Sequence, residues 1–381
     1  MTSESTFANS RGDLHMSTPR RTIGSTLLAP LFQWVGGVMT VVALAGMLGA
    51  FQTATAQQST FNEAKQKYQF AEYQQATTLF RQVADDQQAN IGVRRDALRF
   101  LARAHIARGQ RQQARSVIVE LVDTNPPSDY LNPDVEPPAV MDMYYKVQKE
   151  KQGSYKVEQE EQGLQTIAVM DFTNNSITRR EDYEGLSKGL PSIVINRLTG
   201  GTDLQVIERE RIDWLLKELK LQREKGKVDQ STAVRTGELL GANAVVFGSF
   251  ITTEEEMSIT ARVVKVETGE VMFGDQVRGK PDKFFELIGE LSQKVTKSIN
   301  VEMEETTLGS DETKSLDAMM AYSDGLSLLE AGRYRKAQQK FKRAVEYDEN
   351  FAKAKKKMKS LEPMVASLDS EAGDDSSSMD R

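Results

Sequence analysis

Histidine supplies general bases, triad members and most neutral metal ligands, and this chain has two, His15 and His105. His15 lies ahead of a long apolar segment, and His105 lies inside a stretch of helical periodicity. A histidine triad and a two-histidine metal site are therefore excluded within one mature chain. Cysteine is absent. That removes disulfides, thiolate metal sites, a cysteine nucleophile and a lipid-modified N-terminal cysteine. No G-x-x-x-x-G-K-[ST] loop is present to cradle a phosphate. "GLSKGLPS" (185–192) has glycines and a lysine but the wrong spacing, with Pro191 inside it. Gly185 and Gly189 read instead as the start of a helix that packs closely on a neighbour. Asp171, at the end of a short apolar strand, reads as a turn or capping residue, with a ligand role as the alternative. Glu254, Glu255 and Glu256 read as a solvated turn in which adjacent carboxylates repel and nothing sets two pKa values apart. No catalytic, cofactor-binding or metal-ligating residue is assigned, and the chain is expected not to be an enzyme.

The elements that would have to position any such chemistry come next. At 381 residues the chain is too long for one small core, so two or three domains are expected. A hydrophobic share of 39% and a charged share of 27% fit a soluble globular protein. The net charge of -6, with no strongly basic region, argues against a nucleic-acid partner. Residues 1–56 read as a signal peptide or an N-terminal membrane anchor. A polar stretch carrying Arg20 and Arg21 precedes an uncharged run from Leu27 to Phe51. Ala54 and Ala56 then stand at signal-peptidase spacing, with cleavage placed between Ala56 and Gln57. The apolar run is also long enough to span a bilayer as a helix, so an uncleaved inner-membrane anchor at 27–51 is the alternative. Either way the remainder of the chain is exported.

Residues 58–126 carry two helical cycles. Ala64, Tyr68, Tyr73, Ala76, Phe80 and Val83 form the first; Ala97, Leu98, Leu101, Ala102, Gly109, Ala114, Ile118, Leu121 and Pro126 form the second. They resemble tetratricopeptide units, in which small residues such as Ala64 and Ala102 let paired helices approach. The first cycle lacks the turn glycine that Gly109 supplies in the second. Residues 127–163 form a connector and a short helix, Met141 to Lys151. The five prolines of "NPPSDYLNPDVEPPAV" (125–140) exclude a helix or a central strand there. From 164 to 303 the periodicity changes to an α/β pattern, β-α-β-α-α-β-β-β-α, a mixed sheet with helices. Its pieces are a strand "QTIAVMDF", a helix stopped by Gly200–Gly201, a strand "DLQVIER", an amphipathic helix with Ile212, Leu215, Leu216 and Leu219 on one face, and a helix capped by Ser231. Three strands follow, with Thr268–Gly269 as a hairpin turn, and then a closing helix. Residues 311–364 resemble a further tetratricopeptide unit through Gly325, Gly332, Tyr334, Ala337, Phe341 and Ala344, although Glu349 replaces the usual proline. Lys353 to Lys359 reads as a solvated helix or a basic docking patch, and 367–381 as a disordered acidic tail.

The α/β unit resembles the curli-secretion channel family, the CsgG-like domain. The likeness rests on "IAVMDFTNN", "LQVIERERIDWLLKELKLQ", "GELLGANAVVFGSF" and "ITARVVKVETGEVMFG", from Gln165 to about Ile299. The resemblance implies a periplasmic α/β domain associated with the outer membrane, whose channel members form rings that export curli subunits. Channel members carry two long hairpin insertions; here those places hold only Ile251–Glu256 and Gly274–Asp282. A membrane-crossing strand needs about 9–11 residues, and a hairpin needs two. "SITRREDYEG" carries Tyr183 but no clear channel-constriction motif. Met257, Ile259, Ala261 and Val263 alternate with Ser258, Thr260 and Arg262, which suits a half-buried soluble sheet. The resulting expectation is an exported, non-enzymatic scaffold or assembly factor of the bacterial cell envelope. It would be periplasmic, with outer-membrane or other peripheral membrane association, and would bind other envelope proteins or itself as a homo-oligomer. A curli-type secretion channel component and an envelope sensor or binding protein are the alternatives. No cofactor is implied. Intact mass on fractionated cells checks the first step. A species beginning at Gln57 in the periplasm is expected, whereas a full-length mass in the membrane pellet would make the apolar run an anchor.

Overall fold

The structure, a computed structural model, describes residues 57–124, 131–157, 165–177, 180–219, 229–304 and 312–368. The Leu27–Phe51 run, Ala54, Ala56 and residues 369–381 lie outside the described residues. Gln57 is the first residue described and opens a helix. Its side-chain amide donates to Asp86 at 2.6 Å. Among the described residues no helix is long and apolar enough to cross a membrane.

Four helices begin the fold: α1 (57–69), α2 (Tyr73–Asp85), α3 (Ile91–Ala107) and α4 (Arg111–Asp123). Ala64, Ala76, Ala97, Ala102 and Ala114 are fully buried, so the small side chains lie between helices. Phe61, Phe80 and Phe100 fill the space they leave, with ring centroids 5.4–6.0 Å apart. Helix α5 (Pro138–Gln152) packs on α4. It begins three residues earlier than its apolar pattern suggests, because Pro138 at its first turn needs no backbone N–H partner.

The sheet has the order β2-β1-β3-β4-β5. Strand β1 (Thr166–Asn174) runs parallel to β2 (Gln205–Val206) and β3 (Ala244–Thr252). Strands β4 (Met257–Lys265) and β5 (Val271–Gly279) continue antiparallel. The connections are α6 (Arg180–Tyr183), α7 (Leu186–Gly201), α8 (Arg209–Glu218) and α9 (Gln230–Leu240), and α10 (Phe284–Ser298) follows β5. This is the expected β-α-β-α-α-β-β-β-α pattern with one short helix, α6, added before α7, a mixed α/β sheet flanked by helical segments. Thr253 N–H donates to the Glu256 carbonyl at 2.8 Å, closing the acidic stretch into a tight, exposed turn. Met257, Ile259, Ala261 and Val263 are all fully buried, as their alternation predicts. Two local readings change. The second strand shrinks to two residues, and Asp229 rather than Ser231 caps α9, accepting from Thr232 N–H at 2.8 Å.

Alternation along β1 sends its side chains into two cores. Ile167, Val169 and Phe172 join Leu190 and Ile193 of α7 and Leu287 and Leu291 of α10. Ala168 and Met170 join Ile212 and Leu215 of α8 and Ala233 of α9. The first core runs on into α11 (Leu316–Glu330), α12 (Tyr334–Tyr347) and α13 (Ala352–Ser360). The second runs on into α1–α5, and Met364 on α14 (362–368) belongs to it. The C-terminal helices therefore reach both cores and touch the N-terminal ones.

The three-residue turns between α1 and α2, α3 and α4, and α11 and α12 share one backbone shape. Their middle residues are Ala71, Gly109 and Gly332, with φ of 59, 69 and 70 degrees. Glycine takes this left-handed region freely, whereas a side chain there costs about 1–2 kcal/mol. Ala71→Gly is expected to raise stability by about 0.5–1 kcal/mol once glycine's larger unfolded-state entropy is set against the relieved strain. Gly332→Ala is expected to lower it. Urea unfolding measures both, and an Ala71→Gly protein no more stable than the parent would rule out strain at this turn.

Candidate functional site

Charged side chains are buried where the sheet meets the helical flanks. Asp171 sits on β1, Lys188 on α7, Arg209 and Asp213 one turn apart on α8, and Glu330 at the end of α11. Lys188 Nζ lies 2.6 Å from Asp171 and 3.8 Å from Asp213, and also pairs with Glu330. Arg209 lies 2.7 Å from Asp213 and 3.5 Å from Asp171. Asp171 and Lys188 are 6% and 5% exposed, too dry for either to stay charged alone. Lys188 reaches Glu330 because α7 and α11 approach closely. A Cβ on Gly189 would stand 1.8 Å from Ser323 Oγ, and one on Gly185 2.9 Å from the Asp324 backbone nitrogen. The close-packing role expected of these two glycines is met by α11.

A second network lies beside the first. Lys357 on α13 is 2% exposed. Its ammonium donates to Glu210 of α8 at 2.6 Å and to the Pro133 carbonyl at 3.0 Å, and lies 3.5 Å from Asp134. Lys353 adds a contact to Asp134 at 3.7 Å. The same connector stretch turns Glu136 toward α3, where it accepts two hydrogen bonds from Arg103 at 2.6 and 2.7 Å, with Arg99 3.4 Å away. Residues 131–136 are thus clamped between an N-terminal helix and a C-terminal one.

Burial alone would raise the Glu210 carboxyl, but Lys357 and Arg209 outweigh it and hold it at about 2. Burial would lower the Lys357 ammonium, but Glu210 and Asp134 outweigh that and raise it. Asp213 goes the other way. Burial lifts its carboxyl more than Arg209 and Lys188 lower it, and Asp171 and Glu330 add to the rise.

Glu136, Arg209, Glu210, Asp213, Glu330 and Lys357 of these networks line a cleft of about 510 Å³ between α5, α8, the α11–α12 turn and α13. Its apolar wall includes Met141, Tyr145, Trp214, Leu329 and Tyr334. The Tyr145 hydroxyl donates to Glu208 at 2.7 Å, and its ring lies 5.8 Å from Trp214. Among the described residues no group of three or more His, Asp or Glu is placed to hold a metal ion. Chemically, the arrangement offers a walled cavity with fixed charges, suited to gripping a side chain or a short peptide.

Two expectations are corrected here. Asp171 is neither a turn nor a cap; it is a strand residue holding two cations. The lysine-rich helix is not uniformly solvated, since Lys357 is buried while Lys355, Lys356 and Lys359 are exposed. Spacing carried that signal: Lys357 stands three residues after buried Ala354 and four before buried Leu361. The pairing of Lys188 with Glu330, 142 positions apart in sequence by their numbers, had no local signal.

Lys357→Met is expected to cost up to about 3 kcal/mol, because the Glu210 carboxylate, 24% exposed, would lose its partner in a partly buried place. Pairing it with Glu210→Gln should return much of that loss in urea unfolding; a strictly additive double variant would show that the two groups do not interact. Glu210 is held below its ordinary value of 4.5. Its contribution is therefore present above about pH 4.5 and disappears as pH falls toward 2, on the order of 3 kcal/mol at most. Asp213, raised, opposes that loss. The acid limb of the stability curve should be shallower in Glu210→Gln.

Against this geometry, the sequence model of the family described as "Curli production assembly/transport component CsgG" matches residues 148–259, from the end of α5 into β4. No curated protein sequence matches the chain significantly. Among solved structures, the LpoB C-terminal domain from Salmonella enterica is 17% identical, covering 31% of this chain and 87% of that one, with a TM-score of 0.24. Lipoprotein GNA1162 from Neisseria meningitidis is 16% identical over 35% of this chain and 94% of that one, with a TM-score of 0.25. TolB from Acinetobacter baumannii is 12% identical over 36% of this chain and 28% of that one, also at 0.25. The segment that supplies β1 through the start of β4 is the part of the chain that this family model matches.

Proposed function

We propose that the protein is an exported, non-enzymatic scaffold of the bacterial cell envelope. Its CsgG-family segment docks on a membrane complex or on a second copy, and its helical flanks, tetratricopeptide-like in spacing and turns, hold segments of partner proteins. One observation carries this reading: a segment matching a curli assembly and transport family lies between helical flanks that share its two cores. The short hairpins support a scaffold rather than a pore. The β3–β4 connection is Thr253–Glu256, and Gly274–Asp282 holds only the end of β5 and the residues leading into α10. Neither offers the two strands of about 9–11 residues that a membrane hairpin needs. The acidic balance and the mixed apolar and charged cleft suit protein partners better than nucleic acid.

Cross-linking in the native host, followed by mass spectrometry, tests the proposal. Adducts with a defined set of envelope proteins, or a discrete homo-oligomer, are expected from the full chain. A chain that yields no specific adduct would count against a scaffold. Ring-shaped particles recovered only with detergent would turn the reading toward a channel component.

A further inference from the structure

We infer that the solvent face of the α12–α13 hairpin is a docking surface for an anionic phospholipid bilayer. The inference rests on the envelope reading above, because an exported chain meets bilayers rather than nucleic acid.

Charge is spread unevenly along this chain. The net charge is -6, yet residues 331–360 carry eleven lysines and arginines against three carboxylates. Lys353 and Lys357 turn inward to Asp134 and Glu210, and Lys340 pairs with Asp324. The other eight cations are exposed. On α12, Arg335 recurs at Lys342 and Lys336 at Arg343, seven positions on, along the side away from buried Ala337, Phe341 and Ala344. On α13, Lys355 and Lys359 stand one turn apart, away from buried Ala354 and Lys357. The Gln338 side-chain amide donates to the Met358 carbonyl at 3.4 Å, which sets the start of α12 beside the end of α13. The basic rows of the two helices therefore lie side by side on one face. The three carboxylates, Glu346, Asp348 and Glu349, gather at the α12–α13 turn and leave those rows uninterrupted.

Composition then selects the partner. Protein interfaces are depleted in lysine and centre on aromatic and apolar residues. Among the described residues, the large hydrophobic side chain that this hairpin exposes is Tyr347, at the edge of the basic face. Its ring lies 5.0 Å from the Arg343 guanidinium. Tyrosine beside arginine suits the headgroup layer, where an aromatic body and a charged tip are both accommodated. Clusters of about four to eight lysines and arginines are attracted to anionic lipid surfaces. That attraction acts through the field of a charged plane, so it needs breadth and like sign rather than a cavity, and salt weakens it.

The chain has no cysteine, so a single one can carry a fluorescent probe. The full chain is labelled at Gln339→Cys, exposed on the basic face, or at Thr78→Cys, exposed on α2, and the probe is quenched with acrylamide. Vesicles of phosphatidylcholine mixed with phosphatidylglycerol should shield the Gln339 probe at least threefold more than vesicles of phosphatidylcholine alone, and added salt should remove the difference. The Thr78 probe should respond equally to both. Arg335→Gln, Lys336→Gln, Lys342→Gln and Lys355→Gln all lie at the surface. Combined, they should leave the melting temperature within a few degrees and abolish most of the extra shielding. Equal shielding by the two vesicle types, shielding that survives the four substitutions, or duplex DNA that shields the probe as strongly would each overturn the inference. So would a chain ending at Leu368 that is shielded where the full chain is not, because Asp369, Glu371, Asp374 and Asp375 would then be what occupies the face. Cross-linking in the native host separates this from the scaffold reading. If envelope proteins are captured but the probe is not shielded, the basic face is wrong and the scaffold stands. If the probe is shielded but nothing is captured, the scaffold fails and the basic face stands.

Discussion

A lysine ammonium leaves water only where carboxylates replace its solvation, and Lys357 does so at the point where three parts of this chain meet. Glu210 belongs to the sheet's helix α8, Asp134 and the Pro133 carbonyl to the connector, and Lys357 itself to α13. Drawing α13 away from α8 and the connector would part the buried Lys357 ammonium from both of its carboxylates. The Asp171–Lys188–Glu330 network repeats the arrangement between β1, α7 and α11. Apolar burial supplies the bulk of the stabilisation, since it scales with area and has no direction. The ion pairs fix which surfaces meet and in what register.

That distinction explains why so few helices suffice. Three short hairpins are few for a repeat array, because a lone unit cannot cover its own apolar face. Here each flank finds that cover on the sheet. The N-terminal helices share a core with one face and the C-terminal helices share a core with the other. The C-terminal helix α14 then closes onto the N-terminal core through Met364. The flanks are folded as parts of one body around the sheet, and the cleft is the space left where they converge.

The chemistry of the site follows from that origin. Its charges are those needed to seal a seam, and its aromatic wall is the edge of a core. A cleft formed this way has a lining able to accept side chains, as the proposed binding of partner segments requires.

Much of this was legible in the sequence. Alternation at Met257–Val263, the small residues Ala64 and Ala102, and the turn glycines Gly109 and Gly332 report local geometry, and local geometry is set by neighbours in the chain. The order of strands and helices and the mixed α/β class follow from the same short-range periodicities. The rest required tertiary structure. Asp171 read as a turn residue because nothing within a few positions of it shows that Lys188 and Arg209 converge on it. The lysine run read as solvated because composition dominates a short window, although the spacing of Ala354, Lys357 and Leu361 placed one lysine on the buried face. Lys188 and Glu330 pair only because Gly185 and Gly189 let α7 and α11 approach. Sequence determined which elements form and which faces they bury. The fold alone decided which charges share a low-dielectric space, because that depends on contacts between residues far apart along the chain.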